Sequence, residues 1–199
     1  MISEKFVFLG LLLNALASIG YIVETLKGRV KPNRVTFFLW ALAPLIAFGA
    51  EINEGVGLQS LMTFMVGFSP LLIFLASFVN KKAYWKISKL DWLYGGLSIL
   101  GLVIWLITRD GNLAILFSIL SDGFAAMPTV IKSYHHPETE DYRLYLLAAI
   151  SAVIILLTID DWTFAHYAFP AYILIICSII SAFILLGHHK NSKKVAVVK

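Results

Sequence analysis

The sequence predicts an all-α membrane protein, with seven transmembrane helices arranged as two parallel three-helix repeats joined by a linker helix. Three observations predict it. The 199 residues are 59% hydrophobic and only 14% charged, with mean hydropathy +0.83, whereas soluble domains carry about 25% charged residues. Seven apolar stretches approach the length needed to cross roughly 30 Å of hydrocarbon. Finally, the pattern of spans, loops and charges repeats itself after a shift of 105 residues.

The stretches are 6–25, 35–50, 58–79, 90–108, 112–130, 144–159 and 164–186. The first begins like a secretory signal, with "ALA" at 15–17 in the place of a cleavage site. Its leading "MISEK" has no net side-chain charge and the apolar run continues past the cut, so a retained span is expected. The second and sixth stretches are 16 residues each, about 24 Å at 1.5 Å per residue. Short helices at corresponding places in two halves point to a central site between them. The fourth has no counterpart and is read as the linker. The chain therefore divides into 1–80, a first repeat; 81–110, the linker; 111–187, a second repeat; and 188–199, a basic tail. The single cysteine, Cys177, lies inside the last span, which rules out an intrachain disulfide.

Basic loop residues tend to stay cytoplasmic. With the N-terminus outside, every Lys and Arg except Lys5 and Arg109 falls on the inner side, so the expected orientation is N outside and C inside, in a plasma (inner) membrane. Glu51, Glu54, Asp160 and Asp161 then fall in outer loops, and "HHKNSKKVAVVK" faces anionic headgroups. The net charge of +4 is accounted for by this bias, and no nucleic-acid partner is expected.

In the shifted chain Lys27 falls on Lys132, Pro32 on Pro137, Glu24 on Thr129 and Trp40 on Tyr145. The first span overlies the fifth, the second the sixth and the third the seventh. On the first span Asn14, Ser18 and Tyr21 share one face, and on the fifth Ser118, Ser121, Asp122 and Ala125 form a similar stripe. Polar side chains in hydrocarbon face the bundle rather than lipid. Asn14, Ser18 and Ser121 either line a pathway or bond between helices. Trp40 and Tyr145 are either aromatic walls for a solute or interfacial anchors; Trp85, Trp92 and Trp162 read as belt residues. Pro44, Pro128 and Pro170 each free a backbone carbonyl, giving either hinges or tolerated bends.

Asp122 sits near the midpoint of its span, where an ionised, unpaired carboxylate costs about 3 kcal/mol. No Lys, Arg or His lies at comparable depth; His166 is only two residues into its span. The acid is therefore expected to be protonated much of the time and bonded to a neighbour such as Asn14 or Ser18. It reads either as a proton-coupling carboxyl or as structural glue. His135 with His136, and His188 with His189, lack the separated ligand set of a metal site, so neither metal nor cofactor is expected.

Two parallel three-helix repeats with a linker helix, outside-in, resemble the PQ-loop superfamily, which includes the SWEET and SemiSWEET sugar transporters and cystinosin-like exporters. In the second repeat "MPTVIKSYHHPE" keeps the proline, Pro128, with Thr129 in the place of the glutamine; Val23 and Glu24 hold those places in the first. Of the prolines the resemblance implies for the first two helices of each repeat, Pro44 and Pro128 fit, while Pro70 and Pro170 fall in third helices. The paired asparagines it implies for sugar are absent, and Gln59, Thr63, His166 and Tyr167 are the nearest polar candidates. The resemblance implies a carrier of a small polar solute, sugar or amino-acid-like, working by alternating access and either passive or proton-coupled. The implied solute-binding set is Asn14, Ser18, Trp40, Gln59, Tyr145 and His166, with Asp122 for proton coupling and Pro44, Pro128 and Pro170 as hinges. The alternative is a non-transporting receptor or scaffold of KDEL-receptor-like layout. No HExxH or GxSxG motif points to an enzyme. The expected partners are the solute and the bilayer, and the sequence leaves a single copy and a homo-oligomer equally open.

Overall fold

The computed structural model describes residues 2–83, 85–108 and 110–197. Arg109 and Lys199, counted above among the loop cations, lie outside the described residues. Seven α-helices follow one another: α1 Val7–Leu26, α2 Arg34–Asn53, α3 Ser60–Ala76, α4 Lys89–Thr108, α5 Gly111–His135, α6 Tyr142–Leu157 and α7 Phe164–Val197. Three short 3-10 turns, Glu4–Phe6, Lys81–Ala83 and Pro137–Thr139, complete the regular structure, and no strand occurs among the described residues.

The helix ends have local causes. Gly28, with φ of +72°, turns the chain out of α1 in a conformation that side chains with a Cβ disfavour. Asn33 caps α2, its Oδ1 accepting from the amides of Val35 (3.0 Å) and Thr36 (3.3 Å). Its Nδ2 donates to Asp91 Oδ1 at 2.5 Å, which ties the start of α2 to the first turn of α4. Asp110 caps α5 through the Leu113 amide, and Asp141 caps α6 through that of Arg143.

In the packing, α3 lies against both α1 and α2, while α7 lies against both α5 and α6. The two groups meet where α1 packs on α6 and α2 on α5, and α4 covers α5 and part of α2. At Gly67 α3 comes so close to α2 that an added Cβ would stand 2.8 Å from Leu45 Cγ and 3.1 Å from the Ala41 carbonyl. The Ser151 hydroxyl donates to the Gly10 carbonyl at 2.8 Å, joining α6 to α1.

Polarity runs opposite to that of a water-soluble bundle. Asn14, Ser18, Ser118, Asp122 and Ser151 are buried, whereas Phe8, Leu12, Leu16 and Ile19 form an outward stripe on α1, each more than half exposed. Segments Glu4–Leu26, Arg34–Asn53, Gly111–His135 and Phe164–His189 are long and apolar enough to cross a membrane by length and composition; Ser60–Ala76 and Tyr142–Leu157 are apolar but shorter. The chain is thus an all-helical protein of a kind that can be embedded in a bilayer.

Four expectations need correction. The second helix is not short: α2 has 20 residues, because the polar turn after Ala50 continues the helix instead of ending it. Glu51, read as an outer-loop acid, is 1% exposed inside α2 and accepts from the Thr63 hydroxyl at 2.9 Å. The short helices are α3 and α6, which are not at corresponding places in the two groups. Lys132, read as a loop cation, is a buried residue of α5.

Candidate functional site

A cavity of about 60 Å³ lies where the two groups of helices meet. It has room for a few waters. Asn14 and Ser18 of α1, Phe37 and Trp40 of α2, and Val66, Ser69, Pro70 and Ile73 of α3 form one side. Asp122 of α5, Leu144, Tyr145 and Ala148 of α6, and Ile173, Ile176 and Cys177 of α7 form the other.

The polar groups are held in place from both sides. Ser18 Oγ donates to the Asn14 carbonyl at 2.8 Å, and Ser69 Oγ donates to Asn14 Oδ1 at 3.0 Å, so the amide on α1 is anchored by α3. Asp122, 2% exposed, does not bond to Asn14 or Ser18 as the sequence suggested. Its Oδ2 accepts from the Tyr172 hydroxyl at 2.6 Å. Its Oδ1 is buried without a protein partner. Tyr172 lies on α7, two helices further along the chain, where periodicity along α5 could not point to it. The Asp122 main-chain carbonyl accepts from Trp40 Nε1 at 3.3 Å, linking α2 to α5 beside the acid.

Trp40 and Tyr145 come together as the shifted alignment suggested, edge to face, with ring centroids 6.3 Å apart. Gln59 and His166 do not join them. Gln59 Nε2 donates to the Thr158 carbonyl at the end of α6, and His166 Nδ1 is bonded to Thr163 Oγ1 at the start of α7. Neither lines the cavity. Pro44, Pro128 and Pro170 lie inside α2, α5 and α7, and Pro70 inside α3. Proline cannot bond the carbonyl four residues back, so the Trp40 and Val66 carbonyls, both belonging to cavity residues, lose their usual helix partner.

A second cluster, at the end where the 27–33 and 136–141 loops meet, escaped the sequence reading. Lys132 Nζ pairs with Glu140 Oε1 at 2.5 Å, with side chains 1% and 0% exposed. It also donates to the Lys31 carbonyl and stands 4.7 Å from the centroid of the Trp85 ring, so Trp85 covers this cation. Glu140 Oε2 accepts from Tyr21 (2.7 Å) and Tyr145 (3.0 Å). The one available signal was Tyr21 on the face of Asn14 and Ser18; nothing around Glu140 in the sequence marks burial. Beside the cluster is a polar cleft of about 400 Å³. On its rim Glu24 pairs with Arg29, whose guanidinium is pushed above its ordinary range by that carboxylate, and Arg143 pairs with Asp141 at 2.7 Å.

Among the described residues no three His, Cys, Asp or Glu side chains gather in a way that could hold a metal ion. Neither a family model, nor a curated protein, nor a solved structure matches the chain.

Proposed function

We propose that this chain is an integral membrane carrier that moves a small polar solute through the cavity between two related three-helix halves, α1–α3 and α5–α7, with α4 as the linker. The observation that carries the reading is the cavity itself, built from both halves and holding a buried carboxyl with one unpartnered oxygen. Exchanging α1, α2 and α3 for α5, α6 and α7 turns the α1–α6 contact into α5–α2, α1–α3 into α5–α7 and α2–α3 into α6–α7, and all of these contacts occur. That is the pattern of two parallel repeats related by an axis along the membrane normal. It supports the resemblance to the PQ-loop superfamily. The outward apolar stripe of α1 supports contact with lipid, since soluble proteins seldom expose large apolar patches.

In this reading the halves rock about the cavity, with Pro44, Pro128 and Pro170 as hinges. Asn14, Ser18, Trp40 and Tyr145 contact the solute, and Asp122 exchanges a proton. The N-terminus is outside and the Lys132 end faces the cytoplasm.

The test is a thermal-stability screen of purified protein against sugars, amino acids, nucleosides and vitamins at two pH values, followed by uptake of each stabilising solute into proteoliposomes. A carrier takes up the solute that stabilises it. Stabilisation without uptake would instead assign a receptor.

A further inference from the structure

We propose that Glu140, held by Tyr145 and Lys132 of its own half, latches the inner wall of the cavity shut by accepting from Tyr21 of the other half, so that the inner exit opens only when the contacts across the halves part. The inference rests on the carrier reading and adds a gate to it.

The argument begins with a row of rings. Tyr21 and Phe37 have centroids 5.5 Å apart, Phe37 and Trp40 5.3 Å, and Trp40 and Tyr145 6.3 Å. The two ends of the row donate to the same oxygen, Glu140 Oε2, which closes it into a loop. Tyr21 belongs to α1, Phe37 and Trp40 to α2, and Tyr145 to α6, so the loop can open only if the halves move apart.

The location makes this a gate and not core packing alone. Tyr145 lines the cavity, while Glu140 lines the polar cleft beyond it. The Tyr145–Glu140 hydrogen bond therefore stands on the route from one to the other. Lys132 reinforces the closure across the halves: its ammonium holds Glu140 Oε1 and also the carbonyl of Lys31, in the loop after α1. The Lys31 amide in turn donates to the Thr139 carbonyl at 3.1 Å, next to Glu140. Within its own half Glu140 is held by Lys132 and Tyr145, while the Tyr21 hydrogen bond and the Lys132 bond to the Lys31 carbonyl cross to the other half and are lost together once the loops part, which suits an element with two discrete arrangements.

Cys177 lines the cavity and is the only cysteine in the chain, so it serves as a native reporter. The experiment measures its modification by a membrane-impermeant thiosulfonate in vesicles, applied to either face. The double variant Tyr21→Phe/Tyr145→Phe keeps both rings and the ion pair but removes both donors to Oε2. It should raise the rate from the Lys132 face at least tenfold, the scale expected from losing even one hydrogen bond to a charged group, and leave the other face unchanged. Glu140→Gln keeps an acceptor for the tyrosines but gives up the charge facing Lys132, and should raise the same rate. Wild-type rates in both variants, or equal rises from both faces, would overturn the gate. Failure of both to fold would assign the cluster to the folding core and overturn it as well. The measurement needs no solute. Uptake by the wild type with no response at Cys177 removes the gate and keeps the carrier, whereas a one-sided response without uptake of any solute removes the carrier.

Discussion

The Tyr172 hydroxyl donates to Asp122 Oδ2 at 2.6 Å, binding α7 to α5 beside the central cavity. On its other side the same aspartate offers its main-chain carbonyl to Trp40 Nε1, so the acid is gripped by α2 and α7 while Oδ1 keeps no protein partner. An isosteric amide retains the acceptor for Tyr172 but cannot release a proton. Asp122→Asn should therefore fold with a thermal midpoint within about 4 °C of wild type, the shift that about 1 kcal/mol produces in a chain of this size. Its solute exchange should persist, while accumulation driven by a proton gradient should vanish. Unchanged gradient-driven accumulation would leave Asp122 a structural residue.

Trp40 and Tyr145 are 7% and 2% exposed, so replacing either with Ala would cost about 3–5 kcal/mol and confound transport with folding. Trp40→Phe is the sharper probe. It keeps a ring against Phe37 and Tyr145 but removes the donor to the Asp122 carbonyl. We expect uptake to fall several-fold with little change in thermal midpoint. Trp92, 69% exposed on α4, is the control, and Trp92→Ala should change neither quantity. Equal losses at the two sites would mark Trp40 as packing only.

The Lys132–Glu140 pair has a distinct stability signature. Lys132→Met strands a buried carboxylate and should cost about 3–5 kcal/mol. Adding Glu140→Gln removes the stranded charge and still provides an acceptor for Tyr21 and Tyr145, so the double variant should recover most of the loss. Thermal unfolding in detergent reads both effects. A double variant no more stable than Lys132→Met would show that the charges are not coupled.

Sidedness follows from the proposed orientation. After Cys177→Ser, single cysteines at Ser3, Lys82, His136 and Lys194 can be labelled in intact cells with an impermeant thiol reagent. Position 3 should react from outside and positions 82, 136 and 194 only after permeabilisation. Labelling of positions 3 and 82 from the same side would break the seven-span topology.

Much of this was legible in the sequence because apolar runs and helices end at the same places when the cap is polar and local. The predicted span at 90–108 and α4 Lys89–Thr108 differ by one residue at the start, and the run beginning at 164 starts α7. The shift of 105 residues overlays Trp40 on Tyr145, and the two rings are in contact. The misses at Glu51 and Lys132 share one physical cause, which is that hydropathy treats every charge as a boundary. One oxygen of Glu51 is bonded by Thr63 and Lys132 is paired with Glu140, and helices run through both residues. Tyr172, Glu140 and the remoteness of Gln59 and His166 depend on which helices touch, and no periodicity within a single helix encodes that.

The most direct test of the carrier is counterflow. Proteoliposomes are preloaded with an unlabelled solute that stabilises the purified protein, then diluted into a trace of the same solute carrying a label. Alternating access between the halves predicts a transient rise of label inside the vesicles above the outside concentration, absent from protein-free vesicles. A solute that stabilises the protein yet gives no such rise would contradict the carrier and assign the cavity to a receptor.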